Sequence, residues 1–234
     1  MLISIYLLSL IFVMDKEFWL KKWGNNGFSS SSNEIDLDLI RNAPLLNLEP
    51  GDTILVPLCG KTPDMMWLAE QGYHVIGIEL ASIACEDFFK QFGITPEITR
   101  SDSGFTRYKF NNIELLCGDI FDLTADYLPK ISAVYDHKAL VALSPEMQDA
   151  YVNQIFSFIS HKKGSMLVYT LQTDNDVKGP PFPINETKIN ALYGAKSQIK
   201  KIKSEPLMPV PKNLAQKGYH DVIEEIYLMI INNE

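Results

Sequence analysis

The stretch Thr53–Glu79, TILVPLCGKTPDMMWLAEQGYHVIGIE, decides the fold. It begins with a short β-rich run, TILVP, and ends with another, HVIGIE. Between them, Asp64–Gln71 has its apolar residues at helical spacing. A strand, a loop, a helix and a second strand, in that order, place the two strands parallel in one sheet. This stretch therefore predicts an α/β protein.

The same alternation of strands and helices continues to the end of the chain. The later strands are predicted at Ile113–Cys117, Ile131–Tyr135, Met166–Leu171, Gln198–Lys203 and Glu225–Ile231. The later helices are predicted at Ala81–Phe92, Pro145–Ser160 and Glu186–Leu192. Together they predict a doubly wound, mostly parallel seven-stranded sheet with a C-terminal antiparallel hairpin. No repeat or change of composition divides residues 14–234, so we expect a single domain there.

Composition limits the classes of partner. The formal net charge of −8 argues against nucleic acid, because phosphate binding requires a basic face. The three cysteines are an odd number without metal-ligand spacing, which predicts reduced thiols, no metal and a cytoplasmic protein. We therefore expect a small-molecule partner and a monomer, because no feature of the sequence requires a dimer.

Residues 1–13, MLISIYLLSLIFV, form an apolar run that is too short to span a bilayer. No basic segment precedes the run and no small-residue cleavage site follows it. We therefore expect this segment to be an extension upstream of a true start at Met14, and no membrane association. An uncleaved anchor is the alternative interpretation.

The order of strands also predicts where a ligand binds. In an open parallel sheet, ligands bind beyond the carboxyl ends of the strands. This rule selects Leu58–Pro63, Glu79, Asp119–Ile120 and Asp136–His137. The first of these loops has one glycine, Gly60, where a dinucleotide-binding loop has three. A carboxylate at Glu79 can accept hydrogen bonds from ribose hydroxyls, so the pattern favours an adenosine-like ligand without phosphates.

Several motifs resemble those of the thiopurine S-methyltransferase family. They include VPLCGKTPDMMWLAEQGYHVIGIE (Val56–Glu79), CGDIFDL (Cys117–Leu123), YDHKALVAL (Tyr135–Leu143) and GPPF (Gly179–Phe182). The resemblance begins near FWLKKWGNNGF (Phe18–Phe28) and continues to the C-terminus. It implies a class I, Rossmann-like methyltransferase fold with S-adenosyl-L-methionine as the cofactor.

The resemblance also implies roles for individual residues. Phe28 resembles an aromatic residue near the methyl acceptor, and Trp23 resembles a tryptophan that covers the cofactor. Without the family, Trp19 and Trp23 would be interpreted as the packing face of an amphipathic helix. Six positions match the family's cofactor site: Trp23, Leu58, Glu79, Asp119, Ile120 and His137. Gly60, which the loop pattern selects, completes the predicted cofactor-binding residues.

Two departures from the family pattern concern the acceptor side. Ser29 stands where the family usually has histidine, and His137 stands where it usually has arginine. Histidine is not equivalent to a permanently charged, bidentate guanidinium. Lys138 is a candidate to supply the missing charge.

The predicted activity is methyl transfer to the sulfur of a thiopurine or another small thiol or chalcogen acceptor. Asp136 and His137 are the candidate catalytic residues, as proton acceptor or orienting groups. Two alternatives remain open at this point. One is a halide or thiol methyltransferase on the same scaffold, and the other is a cofactor-binding protein without catalysis.

Overall fold

The structure is a computed structural model that describes residues 16–25, 34–101, 104–159 and 164–232. Residues 1–13 lie outside this range, as does Phe28. The helices are α1 (residues 16–24), α2 (Leu37–Asn42), α3 (Asp64–Glu70), α4 (Ser82–Gln91), α5 (Ala139–Ala142), α6 (Pro145–Phe158), α7 (Glu186–Tyr193) and α8 (Lys212–Ala215). The strands are β1 (Thr53–Pro57), β2 (His74–Glu79), β3 (Glu97–Arg100), β4 (Thr106–Phe110), β5 (Ile113–Cys117), β6 (Ala133–His137), β7 (Ser165–Gln172), β8 (Ser197–Pro206) and β9 (Ile223–Ile231). Short 3-10 helices cover Ala43–Leu46, Ile120–Asp122 and Ala125–Tyr127.

All of these strands belong to one sheet, in the order β3-β4-β5-β2-β1-β6-β7-β9-β8. The central run from β5 to β7 is parallel, whereas β3 and β4 at one edge and β8 and β9 at the other pair antiparallel. The chain builds outward from β1 through β2 to β5 and then returns to β6 on the other side of β1. The order therefore reverses between β1 and β6, where open sheets of this kind bind ligands.

Helices cover both faces of the sheet. On one face, Leu39 of α2, Leu68 of α3 and Phe88 of α4 pack on alternate strand residues such as Val56 and Leu115. On the other face, buried residues of α5, α6 and α7 pack on the intervening strand residues. Because successive strand residues point to opposite faces, both sides of the central strands are apolar. The predicted doubly wound class is therefore confirmed.

Two details differ from the sequence prediction. The sheet has nine strands rather than seven, because the β3–β4 hairpin was not predicted. Its strand β3 is exposed along its whole length, so it lacks the apolar alternation that marks a half-buried strand. The strand predicted at Ile131–Tyr135 lies two residues later, at Ala133–His137, because its pairing with β7 continues to His137↔Tyr169. Asp136 and His137 therefore end a strand instead of following one.

Gly77 in the middle of β2 allows the sheet and its covering helix to approach closely. A Cβ atom built on Gly77 would lie 2.4 Å from Leu115 Cδ2 and 2.7 Å from Cys59 Sγ. Any larger residue here would push the loop that follows β1 away from the sheet. This glycine therefore helps to place that loop at the ligand-binding edge.

Candidate active site

A cavity of about 710 Å³ lies at the carboxyl ends of β1, β2, β5 and β6. Its volume is in the range that small-molecule sites have. The lining includes Trp19 and Trp23 of α1, Glu34–Leu37, the loop Leu58–Thr62, Asp64, Ile78–Leu80, Gly118–Phe121, His137–Ala139, Ala142, Leu143 and Met147. The cavity therefore lies at the edge of the sheet that the strand-end rule selects, and ligand binding there stays a prediction.

The loop after β1 has an unusual backbone conformation. Leu58 and Gly60 both have positive φ angles, 47° and 54°, and the Cys59 amide donates to the Ile78 carbonyl of β2 at 3.0 Å. A positive φ is costly for leucine, and such conformations are concentrated at binding sites. The loop is thus held against β2 in a shape that exposes its backbone to the cavity.

Glu79 joins this loop to the end of β2. Its two carboxylate oxygens accept hydrogen bonds from the Gly60 amide at 2.9 Å and the Ala81 amide at 2.8 Å. Burial raises the pKa of Glu79, although these amide bonds oppose the rise. Each oxygen has a further lone pair, so the carboxylate can also accept from ligand hydroxyls.

Asp119 and Ile120 form the third wall of the cavity, directly after β5. Asp119 Oδ1 accepts a hydrogen bond from the Phe121 amide at 2.9 Å, which orients its carboxylate. The other oxygen, Oδ2, pairs with the Lys16 ammonium of α1. This ion pair connects α1 to the wall that Asp119 and Ile120 form.

Trp23 closes the cavity from above. Its side chain is only 8% exposed and clusters with Ala81 and Ala84. A Cβ atom built on Gly60 would lie 3.4 Å from Trp23 Cζ2, so the indole packs directly against the glycine. The prediction that Trp23 is part of a cover is consistent with this position, and its contact with a cofactor stays a prediction.

At the other end of the cavity, His137 lies between two carboxylates. Its Nε2 atom is 3.2 Å from Asp36 Oδ2, and its Nδ1 atom is 3.7 Å from Asp64 Oδ2. Asp64 is 1% exposed and accepts hydrogen bonds from the Tyr135 hydroxyl and the Asp36 amide, both at 2.9 Å. The histidine is therefore held in a network of charged groups that also anchors the start of α2.

The Asp36 carboxylate is stabilised in its ionised form. Burial alone would raise its pKa, but the hydrogen bond and charge of His137, followed by the Asp38 amide, lower the pKa to about 2. The other oxygen of Asp36 caps α2 by accepting from the Asp38 and Leu39 amides. Asp36 is therefore a helix N-cap as well as the partner of His137.

Asp136 lies behind the cavity wall rather than in it, with 1% of its surface exposed. One oxygen accepts from the Tyr151 hydroxyl at 2.7 Å, and the other from the Ala139 and Leu140 amides at 2.7 and 3.2 Å. Burial raises the pKa of Asp136 to about 6, although these hydrogen bonds oppose the rise. Its contacts indicate that it shapes the turn between β6 and α5.

Lys138 occupies this turn, with a positive φ of 70°. Its ammonium forms an ion pair with Glu224 of β9 at 2.7 Å, and Glu224 also binds Lys203 at 2.9 Å. The charge of Lys138 is thus matched by a carboxylate on the neighbouring strand. Lys138 was a candidate to supply the charge that His137 lacks, but the structure directs its ammonium toward Glu224 of β9.

The structure brings together most of the predicted site residues. Those that line the cavity are Trp23, Leu58, Gly60, Glu79, Asp119, Ile120 and His137. Phe28 lies outside the described residues. The sequence prediction missed Lys16, Asp36, Asp64 and the apolar residues Ala142, Leu143 and Met147. A capping pattern before the run Leu37–Ile40 could have identified Asp36 as an N-cap, but not as the partner of His137.

Cys59 does not have the environment of a nucleophile. Cys59 lines the cavity, but burial first, and then the charge of Glu79, raise the pKa of its thiol well above the ordinary value. Nucleophilic cysteines instead have lowered pKa values and a nearby base. Among the residues that the structure describes, no cluster of histidine, cysteine or acidic residues is suited to bind a metal ion.

Sequence comparison decides the family. The model of the thiopurine S-methyltransferase family matches residues 14–231. The chain belongs to the thiopurine S-methyltransferase family. A thiopurine S-methyltransferase of Nitrosospira multiformis is 35% identical over 93% of this chain and 98% of its own length. One of Pseudomonas aeruginosa is 36% identical, over 92% of this chain and 99% of its own length.

Solved structures show the same fold at low sequence identity. An S-adenosylmethionine-dependent methyltransferase of Anabaena variabilis superposes with a TM-score of 0.64 at 12% identity, over 93% of this chain and 95% of that one. The magnesium protoporphyrin IX methyltransferase of Synechocystis, solved with bound S-adenosylmethionine, superposes with a TM-score of 0.61 at 12% identity. The match covers 93% of this chain and 97% of that one. This member of the thiopurine S-methyltransferase family therefore has the class I methyltransferase fold.

No helix within the described part of the chain has both the length and the apolar character needed to cross a membrane.

Proposed function

We propose that this protein transfers a methyl group from S-adenosyl-L-methionine to the sulfur atom of a thiopurine or a similar small thiol. The observation that carries the proposal is the buried Glu79 carboxylate, fixed by the Gly60 and Ala81 amides at the edge of a roofed cavity. Membership in the thiopurine S-methyltransferase family supports the same activity. Class I structures such as the Synechocystis enzyme bind this cofactor in a comparable fold.

The lining residues fit an adenosyl group. Glu79 has lone pairs left for the ribose hydroxyls, and Asp119 and Ile120 lie where an adenine ring would be flanked. The loop containing Gly60 can approach a ligand through its backbone, but it lacks the several glycines of a phosphate-binding loop. This loop therefore suits a nucleoside without phosphates. Leu58, Trp23 and Ile78 supply apolar surface.

The cofactor, when bound, supplies a methyl group that is already activated by its sulfonium. The protein therefore has to align the acceptor sulfur with that methyl group and exclude water. Trp23 covers the cofactor end, while Leu143 and Met147 give the acceptor end an apolar wall. Catalysis in this protein thus rests on positioning rather than on a nucleophilic side chain.

Asp136 and His137 are assigned different roles. Asp136 has both oxygens committed to the Tyr151 hydroxyl and to backbone amides, so we assign it to positioning the β6–α5 turn. His137 faces the cavity, but both of its nitrogens face carboxylates. We therefore infer that His137 orients the acceptor end, while the acceptor sulfur loses its proton to solvent and attacks as the thiolate.

Turnover of 6-mercaptopurine with methyl-labelled cofactor tests the proposal, with hydrogen sulfide and iodide run in parallel. We expect label to appear on the purine sulfur, and we expect Glu79→Gln to reduce the rate strongly. Faster methylation of iodide than of either sulfur acceptor would contradict the thiol assignment. Tight cofactor binding without turnover of any acceptor would favour a protein that has lost catalysis.

We also propose that the protein is cytoplasmic. Cys59, Cys85 and Cys117 are all free thiols in the structure. Reduced thiols are typical of that compartment. Fractionation of cells that produce the protein would test this location.

A further inference from the structure

The three cysteines of the chain meet in one part of the fold, although they are far apart in the sequence. Cys59 lies in the loop after β1, Cys85 in α4 and Cys117 at the end of β5. All three belong to the apolar cluster on the face of the sheet that α4 covers. Cys59 and Cys85 are buried, whereas Cys117 is partly exposed. A small oxidant can therefore reach Cys117 from solvent.

The geometry of the sheet directs the Cys117 side chain toward α4. Alternate residues of β5 point to one face, and Leu115, two residues before Cys117, packs in the same cluster as Phe88 of α4. Cys117 Sγ lies 3.8 Å from the carbonyl oxygen of Leu80, in the connection that leads into α4. Cys85 lies near the start of this helix, and its thiol is hydrogen-bonded to Cys117.

This hydrogen bond makes the two thiols chemically unequal. The bond from the Cys85 thiol lowers the pKa of Cys117, although burial and the charges of Glu79 and Glu86 oppose this effect. The same bond, together with burial, raises the pKa of Cys85. Cysteines that react with oxidants combine a lowered thiol pKa, access to solvent and a second cysteine beside them. Cys117 meets all three conditions.

We propose that Cys117 is an oxidation site for peroxides and that Cys85 converts the oxidised sulfur to a disulfide. In the first step, the Cys117 thiolate attacks one oxygen of hydrogen peroxide, the O–O bond breaks and hydroxide leaves, so that the sulfur becomes a sulfenic acid. In the second step, the Cys85 sulfur attacks the Cys117 sulfur and the S–O bond breaks. The Cys85 proton goes to the departing hydroxyl, which leaves as water. The two sulfurs together lose two electrons to the peroxide, and neither step depends on the proposed methyl transfer.

Cys59 is the other thiol in this cluster, but it is oriented differently. Its Sγ atom lies 3.7 Å from the Gly60 carbonyl oxygen, and a Cβ atom built on Gly77 would lie 2.7 Å from it. Cys59 is thus directed at its own loop and at β2, whereas Cys85 contacts Cys117. We therefore expect Cys59 to stay reduced when the other two are oxidised.

The disulfide would connect two elements that form walls of the cavity. A disulfide holds its sulfurs about 2 Å apart, much closer than hydrogen-bonded thiols, so its formation draws the start of α4 toward the end of β5. The Ala81 amide at the start of α4 holds the Glu79 carboxylate, and Asp119 follows Cys117 by two residues. We therefore expect the disulfide to displace Glu79 and Asp119 and to weaken cofactor binding. This consequence, unlike the oxidation itself, rests on the proposed function.

The oxidation site is tested on the purified full-length protein, treated with a small excess of hydrogen peroxide. Remaining thiols are blocked with iodoacetamide under denaturing conditions, and the proteolytic peptides are mapped by mass spectrometry without reduction. We expect a disulfide between Cys85 and Cys117 and an alkylated Cys59. Dithiothreitol should reverse the disulfide, which separates it from the oxidation of methionine.

Two serine variants that nearly preserve side-chain shape sharpen this test. In Cys85→Ser the second thiol is absent, so we expect Cys117 to accumulate as a sulfenic acid that dimedone traps. Cys59→Ser is the matched control, because it removes a buried thiol of the same cluster and should form the disulfide as the wild type does. A disulfide between Cys59 and Cys117, or none between Cys85 and Cys117 in the wild type, would overturn the proposal. The wild-type map decides the question even where a variant does not fold.

Calorimetric titration with S-adenosylhomocysteine, before and after oxidation, measures the effect on the cavity. We expect the Kd of the wild type to rise by at least about tenfold on oxidation, the effect of losing a hydrogen bond to a charged group, and to recover after dithiothreitol. An unchanged Kd in the fully disulfide-bonded protein would overturn this coupling. No binding by the reduced protein would count against the proposed function, and the peptide map would still decide the oxidation site.

Discussion

At the scale of single residues, Glu79 holds the loop after β1 and faces the cavity. Its two oxygens accept from the Gly60 and Ala81 amides, and a glutamine would place an N–H group against one of these donors. We expect Glu79→Gln to raise the Kd for S-adenosylhomocysteine by at least about tenfold, because a hydrogen bond to a charged group contributes roughly 1.5–3 kcal/mol. Calorimetric titration measures the change. Glu70→Gln, an exposed position on α3, should bind like the wild type, and equal Kd values in the two variants would contradict the assignment.

Asp136 makes the stability of the protein depend on pH. Its pKa rises from an ordinary 3.8 to about 6 in the folded state, chiefly through burial. Because the folded pKa is above the unfolded one, protonated Asp136 stabilises the folded state fully below about pH 4. This stabilisation is lost as the pH rises through 6. Asp136→Asn does not titrate, so its stability relative to wild type should improve by roughly 2 kcal/mol between pH 4.5 and pH 7.

Urea unfolding of both proteins at pH 4.5, 5.5 and 7 tests this prediction. The difference between the two proteins is the informative quantity, because titrations of other groups largely cancel in it. A difference that is constant with pH would show that Asp136 is not stabilised in its protonated form.

At the scale of elements, α1 is the cover of the cofactor end. Trp23 packs on Gly60, Ala81 and Ala84, and Lys16 of the same helix pairs with Asp119. Trp23→Ala removes this cover and exposes the end of the cavity to water. We expect the Kd for S-adenosylhomocysteine to rise by about tenfold or more, given that truncating a buried tryptophan costs roughly 3–5 kcal/mol in contacts.

A variant on the same helix separates this effect from a general weakening of α1. Leu20 is 46% exposed, so Leu20→Ala should leave the Kd within about twofold of wild type. Similar losses of affinity in the two variants would indicate that Trp23 has no specific role in covering the cofactor.

The elements also show which features a sequence can predict. Strands β1, β2 and β5 were predicted to the residue, because apolar runs buried on both faces are bounded by clear turn signals. The β3–β4 hairpin was missed, because the exposed residues of β3 have no apolar pattern. Its pairing with β5 is a tertiary effect that local sequence does not encode.

At the scale of the whole molecule, the sequence predicts some residues of the candidate site and misses others. Gly60, Glu79 and Asp119 could be predicted to lie close together because each lies at or just beyond the carboxyl end of a strand, and parallel strands end at one edge of the sheet. The Asp36–His137 pair could not be predicted, since its members are far apart in the chain and meet only when α2 packs beside β6.

The central claim is that the ends of four strands form one pocket for an adenosyl cofactor. Calorimetric titration of the purified full-length protein with S-adenosylhomocysteine tests it most directly. We predict one site per chain with a Kd below about 1 mM, within the range of enzyme substrates, together with a rise in the melting temperature as the ligand stabilises the folded state. No heat of binding and no change in melting temperature at millimolar ligand would contradict the claim.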